Sequence, residues 1–307
     1  MRNAYLSALH ELAKNNADIL AIISDNGAIV YDKFRADFPE QYINCGISEA
    51  NMVGMSAGLS SYGKIPFAYT ISNFLVYRAY EQIRNDVCLQ NMNVKLVGTG
   101  VGFAYSSLGP THHGTEDIAV MRCLPHLTVF SPADPLETKK VTLAAALIKG
   151  PVYIRLATGG TPPVYEKDYD FSVGKAVEIV PGKDLAILST GSIVHEVLLA
   201  VKELREEGIS ARLINFHTIK PIDREMIVAA ARATGRILVV EEQNINGGLA
   251  GAISEVLLEE GCGAVKFQRM GLNDTFAAGY GSYDDLKEMN MLSKTHIMTA
   301  ARNMVRN

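Results

Sequence analysis

The sequence predicts an α/β protein of two domains, each built on a mostly parallel sheet flanked by helices. Three observations carry this. Short β-rich apolar runs alternate with stretches of helical period along the chain. The strand runs are apolar on both faces, as in a sheet covered on two sides. A stretch rich in Gly, Pro and charge, A-T-G-G-T-P-P-V-Y-E-K-D-Y-D, breaks both periods near the middle. The expected division is a first domain over 1–158, a linker over 159–178 and a second domain over 179–307.

In order, residues 3–14 read as a helix, I-L-A-I-I-S (19–24) as a buried strand, and Ile29–Phe38 as a short helix. A Gly/Ala-rich helix follows over Glu49–Tyr62, then a strand over 65–69, a helix over Phe74–Leu89 and a strand over 94–98. Beyond a long loop come a strand over 127–130, a helix over Pro135–Ile148 and a strand over 152–156. The second unit opens with a strand running into a Gly-Ser turn (184–192) and a helix, Ile193–Glu207, closed by Gly208. Strands over 211–216, 236–242 and 265–270 then alternate with helices over Asp223–Arg232 and Gly248–Glu260, and the tail is helical over Lys294–Val305.

The 307 residues are 48% hydrophobic and 20% charged, ample for a sizeable core. A net charge of −4 without any Lys/Arg block gives no electrostatic reason for nucleic acid or an anionic membrane as partner. The N-terminal stretch, with His10 and Glu11, reads as an amphipathic helix lacking a signal-peptide core, and no run reaches membrane-spanning length. A cytoplasmic location is expected. Cys45, Cys88, Cys123 and Cys262 are scattered without a C-x-x-C pair and read as free thiols.

The chemistry is expected in Tyr42–Tyr80, above all at Glu49 in I-N-C-G-I-S-E-A-N-M-V-G-M. A lone carboxylate among small and apolar residues is costly to ionise, so burial should raise its pKa and suit it to proton chemistry. Some 25 residues on, in N-F-L-V-Y-R-A-Y, Phe74, Tyr77 and Tyr80 recur at three-residue spacing and would line one stripe of a helix. An acid followed by an aromatic wall offers what a flat heteroaromatic ligand needs; an ordinary core stripe gives the same pattern.

Ligands of parallel sheets gather beyond the carboxyl ends of the strands. The longest loop there is G-T-G-V-G-F-A-Y-S-S-L-G-P-T-H-H-G-T-E-D (98–117). Its Gly98, Gly100 and Gly102 lead into a loop and not a helix, which argues against a dinucleotide fingerprint. His112 and His113 precede Glu116 and Asp117, but neighbours in sequence point apart and Gly114 opposes the helix that would join His112 to Glu116, so a metal site is not expected. The histidines could equally serve a substrate by hydrogen bonding or proton transfer. The chain has neither G-x-x-x-x-G-K-S/T nor G-D-G, so the charged end of a diphosphate cofactor would have to be held by another chain.

Together G-I-S-E-A-N-M-V-G, S-N-F-L-V-Y-R-A-Y, S-L-G-P-T-H-H, S-P-A-D-P-L-E-T (131–138) and V-E-E-Q-N-I-N-G-G-L (240–249) resemble the C-terminal half of transketolase. That half comprises the pyrimidine-binding and C-terminal domains of thiamine-diphosphate enzymes, and the resemblance covers nearly the whole chain. It implies that Glu49 bonds a ring nitrogen of the aminopyrimidine and promotes the imino tautomer that takes the thiazolium proton. It implies that Phe74 stacks on the pyrimidine, that Tyr77 and Tyr80 line the pocket, and that His112 lies beside the transferred two-carbon unit, with His113 and Arg155 on the substrate side. The family's diphosphate-binding domain, with Mg²⁺ and G-D-G, has no counterpart here. The implied protein is one subunit of a split, two-chain transketolase, working with a separate diphosphate-binding subunit, with a dimer of this chain inside a heterotetramer. The implied reaction is reversible ketol transfer between a ketose and an aldose.

Three departures bear on the substrate. Leu108 stands where the family has an acid before G-P-T-H, Gly100 where it has a histidine, and Thr158 where it has a phosphate-holding arginine, with Arg155 close by. The substrate's anion is then held differently, which allows a sulfonated or branched sugar. The alternatives are a 1-deoxyxylulose-5-phosphate synthase, a 2-oxoacid dehydrogenase beta subunit, and a catalytically silent subunit of the same fold.

Overall fold

The computed structural model describes residues 1–158 and 160–306; Gly159, the first residue of the expected linker, and Asn307 lie outside them. The expected α/β architecture is present as two sheets.

Helix α1 (Arg2–Asn15) buries Tyr5, Ala8, Leu9 and Ala13, the inner stripe of a helical period. Strand β1 (Ile19–Ile23) is buried at all five positions. After α2 (Asp32–Asp37) and β2 (Tyr42–Asn44), α3 (Glu49–Ser61) begins at the candidate acid. Strand β3 (Ile65–Ile71) leads into the segment expected as one α-helix, which is instead two π-helical stretches, Phe74–Arg78 and Ile83–Cys88, around a single α-turn, α4 (Tyr80–Gln82). The wider turn of a π-helix rotates successive side chains away from three-residue spacing, so the expected stripe of Phe74, Tyr77 and Tyr80 does not form. Strand β4 (Lys95–Thr99), α5 (Asp117–Arg122), β5 (Thr128–Phe130), α6 (Pro135–Leu147) and β6 (Val152–Leu156) complete the first half. Helix α6 starts where Asp134 accepts the amide of Glu137 and Pro135 fills the first turn.

The second half runs β7 (Val177–Val180), β8 (Leu185–Ser189), α7 (Val194–Glu206), β9 (Ala211–Asn215), β10 (Thr218–Lys220), α8 (Arg224–Thr234), β11 (Arg236–Asn244), α9 (Leu249–Glu259), β12 (Lys266–Leu272), α10 (Tyr283–Met289) and α11 (Lys294–Arg306). Of these, β7, β10 and α10, like β2 and α5 before them, have no counterpart among the elements expected from the sequence.

The first sheet has the order β10-β5-β6-β4-β3-β1-β2, parallel except for the β10–β5 pair, and the second β12-β11-β8-β9-β7, parallel except for β7–β9. Strand β10 thus belongs to the second half by sequence and to the first sheet by hydrogen bonding. The core is shared as well. One apolar cluster joins Leu20, Met52 and Met121 to Ile219, Leu249 and Ile253, and Phe103 is buried in the cluster otherwise built largely from the second half. All four cysteines are free thiols, and no described helix is long and apolar enough to cross a membrane.

Candidate active site

The site lies beyond the carboxyl ends of β1, β3 and β4, where a parallel sheet leaves its crevice. Glu49 opens α3 and is 1% exposed. A carboxylate in a helix's first turn faces the positive end of the helix dipole. Its partner is a residue absent from the expected site: Arg78 donates from Nη1 to Glu49 Oε2 at 2.6 Å. The buried carboxylate is thus paired with a guanidinium that is itself half-exposed. The same guanidinium lies over the Phe74 ring, 4.7 Å from its centroid.

On the other side His112 meets Phe74 edge-on, with centroids 5.2 Å apart. His112 Nδ1 is 3.0 Å from Thr111 Oγ1, and its Nε2 has no protein partner among the described residues. Glu49, Arg78, Phe74 and His112 thus form one connected group. Tyr105 flanks His112, with centroids 6.2 Å apart, and explains Gly100: a Cβ added there would fall inside the Tyr105 ring. A histidine at position 100 has no room.

The remaining candidates lie elsewhere. Tyr77 is exposed and donates to Glu116 Oε2 at 2.9 Å. Tyr80 turns to α5 and donates to the Val120 carbonyl at 2.8 Å. His113 is buried, its Nε2 3.2 Å from the Ser106 carbonyl and its ring against Phe103; burial lowers its pKa. It faces into its own loop. Arg155, expected on the substrate side, is also internal. It is 3% exposed and donates to Asp117 Oδ2 (2.7 Å), Ser131 Oγ (3.2 Å) and the Gly114 carbonyl (3.1 Å). Asp117, fully buried, also accepts from Tyr153 Oη and from Gln243 Nε2, both at 2.7 Å. With Glu116 taken by Tyr77 and Thr115, no group of three His, Cys, Asp or Glu among the described residues is placed to hold a metal.

Arg78 is readable in part from the sequence, since it follows Phe74 by four residues in Y-R-A-Y. Nothing local in the sequence signals that Asp117, Arg155 and Gln243 meet, because they come from three separate elements. A cavity of about 200 Å³ lies between the two halves, lined by Ala104, Thr158, Ser192, His195, Tyr283 and Lys287 among others. It contains none of Glu49, Phe74 or His112, and it holds Thr158, the position of the expected anion-binding arginine.

Residues 1–162 match the family described as transketolase, pyrimidine binding domain, and residues 174–297 that described as transketolase, C-terminal domain. A putative transketolase C-terminal section of Methanocaldococcus jannaschii is 40% identical over 289 residues, covering 93% of this chain and 90% of that one. An apulose-4-phosphate transketolase subunit of Phocaeicola vulgatus is 39% identical over 260 residues (84% and 83%). A 6-deoxy-6-sulfo-D-fructose transketolase subunit of a Clostridium species is 36% identical over 302 (98% and 93%). Among solved structures, a split gene transketolase described as an inactive beta4 tetramer superposes with a TM-score of 0.91 at 39% identity, covering 99% of this chain and 98% of that one.

Proposed function

The chain belongs to the transketolase family, and from that premise we propose that it is the pyrimidine-binding subunit of a two-chain transketolase. Its partner would be a separate subunit that holds the diphosphate and Mg²⁺ of thiamine diphosphate, with two copies of each chain in a heterotetramer. The reaction is transfer of a two-carbon ketol unit between a ketose and an aldose. Bound thiamine diphosphate would supply the carbanion chemistry, and this chain's residues orient the cofactor and set its protonation.

The observation that carries the reading is the pair of contacts made by Arg78. A flat, N–H-bearing group already lies on both the Glu49 carboxylate and the Phe74 face. An aminopyrimidine presents the same chemistry, a planar π-system with a proton for a carboxylate, so the residues present fit it. With the cofactor bound, Glu49 would hydrogen-bond its ring nitrogen and Phe74 would fix the ring plane, while Tyr77, bonded to Glu116, stays outside this group. His112, with Nδ1 engaged and Nε2 free, offers that nitrogen to a substrate oxygen.

The donor is a ketose phosphate or a similar anionic sugar, and Leu108 and Thr158 allow a sulfonated or branched one. Two relatives, one named for a sulfonated sugar and one for apulose 4-phosphate, support that direction. A synthase reading has one observation in its favour: a 1-deoxy-D-xylulose-5-phosphate synthase of Syntrophus aciditrophicus is 34% identical over 298 residues, although the chain spans only 45% of it. The test is reconstitution with a G-D-G-bearing partner chain, thiamine diphosphate and Mg²⁺, followed by a donor and acceptor screen. Glu49→Ala should abolish ketol transfer with the melting temperature retained, and neither chain alone should turn over. Retention of most activity by Glu49→Ala contradicts the assignment.

A further inference from the structure

The loop between β4 and α5 brings His112 to the site, yet much of what holds it comes from the other half of the chain. Gln243, on β11 and 1% exposed, donates from Nε2 to the Gly114 carbonyl at 3.0 Å and to Asp117 Oδ1 at 2.7 Å. The next amide, Asn244 N, donates to the Thr115 carbonyl at 2.7 Å. The Glu242 side chain closes over Gly102, where an added Cβ would overlap it, and Tyr280 lies over Gly109, its Cε1 2.7 Å from where a Cβ would stand. The first half adds Asn73 Nδ2, which donates to the Thr111 and His113 carbonyls at 3.1 and 2.9 Å.

We propose that Gln243 is a positioning residue: from the second half of the chain it fixes segment 109–117 so that His112 stands edge-on to Phe74. The inference rests on His112 serving the substrate in the reading above. The carboxamide suits the task because one nitrogen carries two N–H donors, here spent on a carbonyl and a carboxylate. A glutamate at 243 would set like charge against Asp117, and a methionine would fill the volume without donating. Gln243 Oε1 is buried with no hydrogen-bond partner. An orphaned buried acceptor is a cost to stability, so the side chain is explained by what its donors hold and not by packing.

The test combines amide hydrogen exchange on the chain with kinetics on the reconstituted complex. In Gln243→Met, exchange over 109–116 should quicken about tenfold while α1, β1 and β8 keep their protection. The kcat of the complex should fall about tenfold or more with cofactor affinity unchanged, and that loss should vanish in a His112→Ala background. Unchanged exchange at 109–116, acceleration spread through both sheets, or losses that multiply with His112→Ala each overturn the proposal. Should Gln243→Met fail to fold, Gln243→Asn carries the test, since its amide is one methylene too short to reach both acceptors: no acceleration over 109–116 overturns the proposal. Activity retained in Glu49→Ala would remove the functional reading alone, and the exchange result would still decide whether the second half positions the loop.

Discussion

Arg155 and Asp117 offer the sharpest test of how the loop is anchored. They are 3% and 0% exposed and pair at 2.7 Å. Replacing Arg155 by Met leaves the Asp117 carboxylate with neutral donors only, from Tyr153 and Gln243. Replacing Asp117 by Asn leaves the guanidinium with the Ser131 hydroxyl and the Gly114 carbonyl. Removing one member of a buried pair costs about 3–5 kcal/mol, because the survivor keeps its desolvation cost without its partner. For a chain of this size each kcal/mol lowers the melting temperature by about 2–4 °C, so either variant should melt about 6–20 °C lower. The double variant, in which neither member of the pair is left alone, should be milder than the sum by about 1–3 kcal/mol. Urea unfolding followed by circular dichroism, with calorimetry to check the number of transitions, reads all three. Single variants within about 1 kcal/mol of wild type, or strict additivity, would refute the buried-pair account. A selective rise in KM for the anionic substrate at unchanged melting temperature would instead return Arg155 to the substrate side.

Two further predictions follow from neighbouring features. Phe74→Ala should weaken thiamine diphosphate binding to the complex about 3–10-fold, the scale of one aromatic contact, as read by calorimetric titration; an unaltered Kd would remove Phe74 from the ring's wall. Glu137 is fully buried, and burial pushes its carboxyl up to about 7 despite hydrogen bonds from Tyr169, the Ala133 amide, Asn215 and Tyr165. The folded chain then holds this proton more tightly than the unfolded one, whose glutamate titrates near 4.5. The stability it contributes is complete below about pH 4.5 and lost as the pH rises through about 7, a change of order 3 kcal/mol. Glu137→Gln should flatten the urea midpoint between pH 4.5 and 7.5 relative to wild type, and an identical profile would show that Glu137 does not set it.

Where an element is long and its neighbours cover it on both faces, its residues announce it. Strands β1, β4, β6 and β8 are each buried at every position and are readable as apolar runs. Strands β2 and β10 have three residues each and β7 four. Such short strands exist because a distant strand pairs with them, and no local pattern records that. The same limit applies to the site. Glu49 stands out as an acid in apolar company and Phe74 as the aromatic that follows it. The π-helical turns, which decide what Tyr77 and Tyr80 face, depend on backbone bonding that side-chain spacing does not encode. Arg155 and His113, polar residues beside a plausible site, read as ligands; both are spent internally on the loop.

Strand β10 carries a consequence for any attempt to cut this protein into working pieces. A fragment ending before it would present β5 to solvent as a raw sheet margin, an invitation to pair with a neighbouring molecule. A fragment beginning after the 157–170 stretch would carry a three-residue strand with nothing to zip onto. The seam that looks natural along the sequence is therefore not the one along which the molecule would come apart.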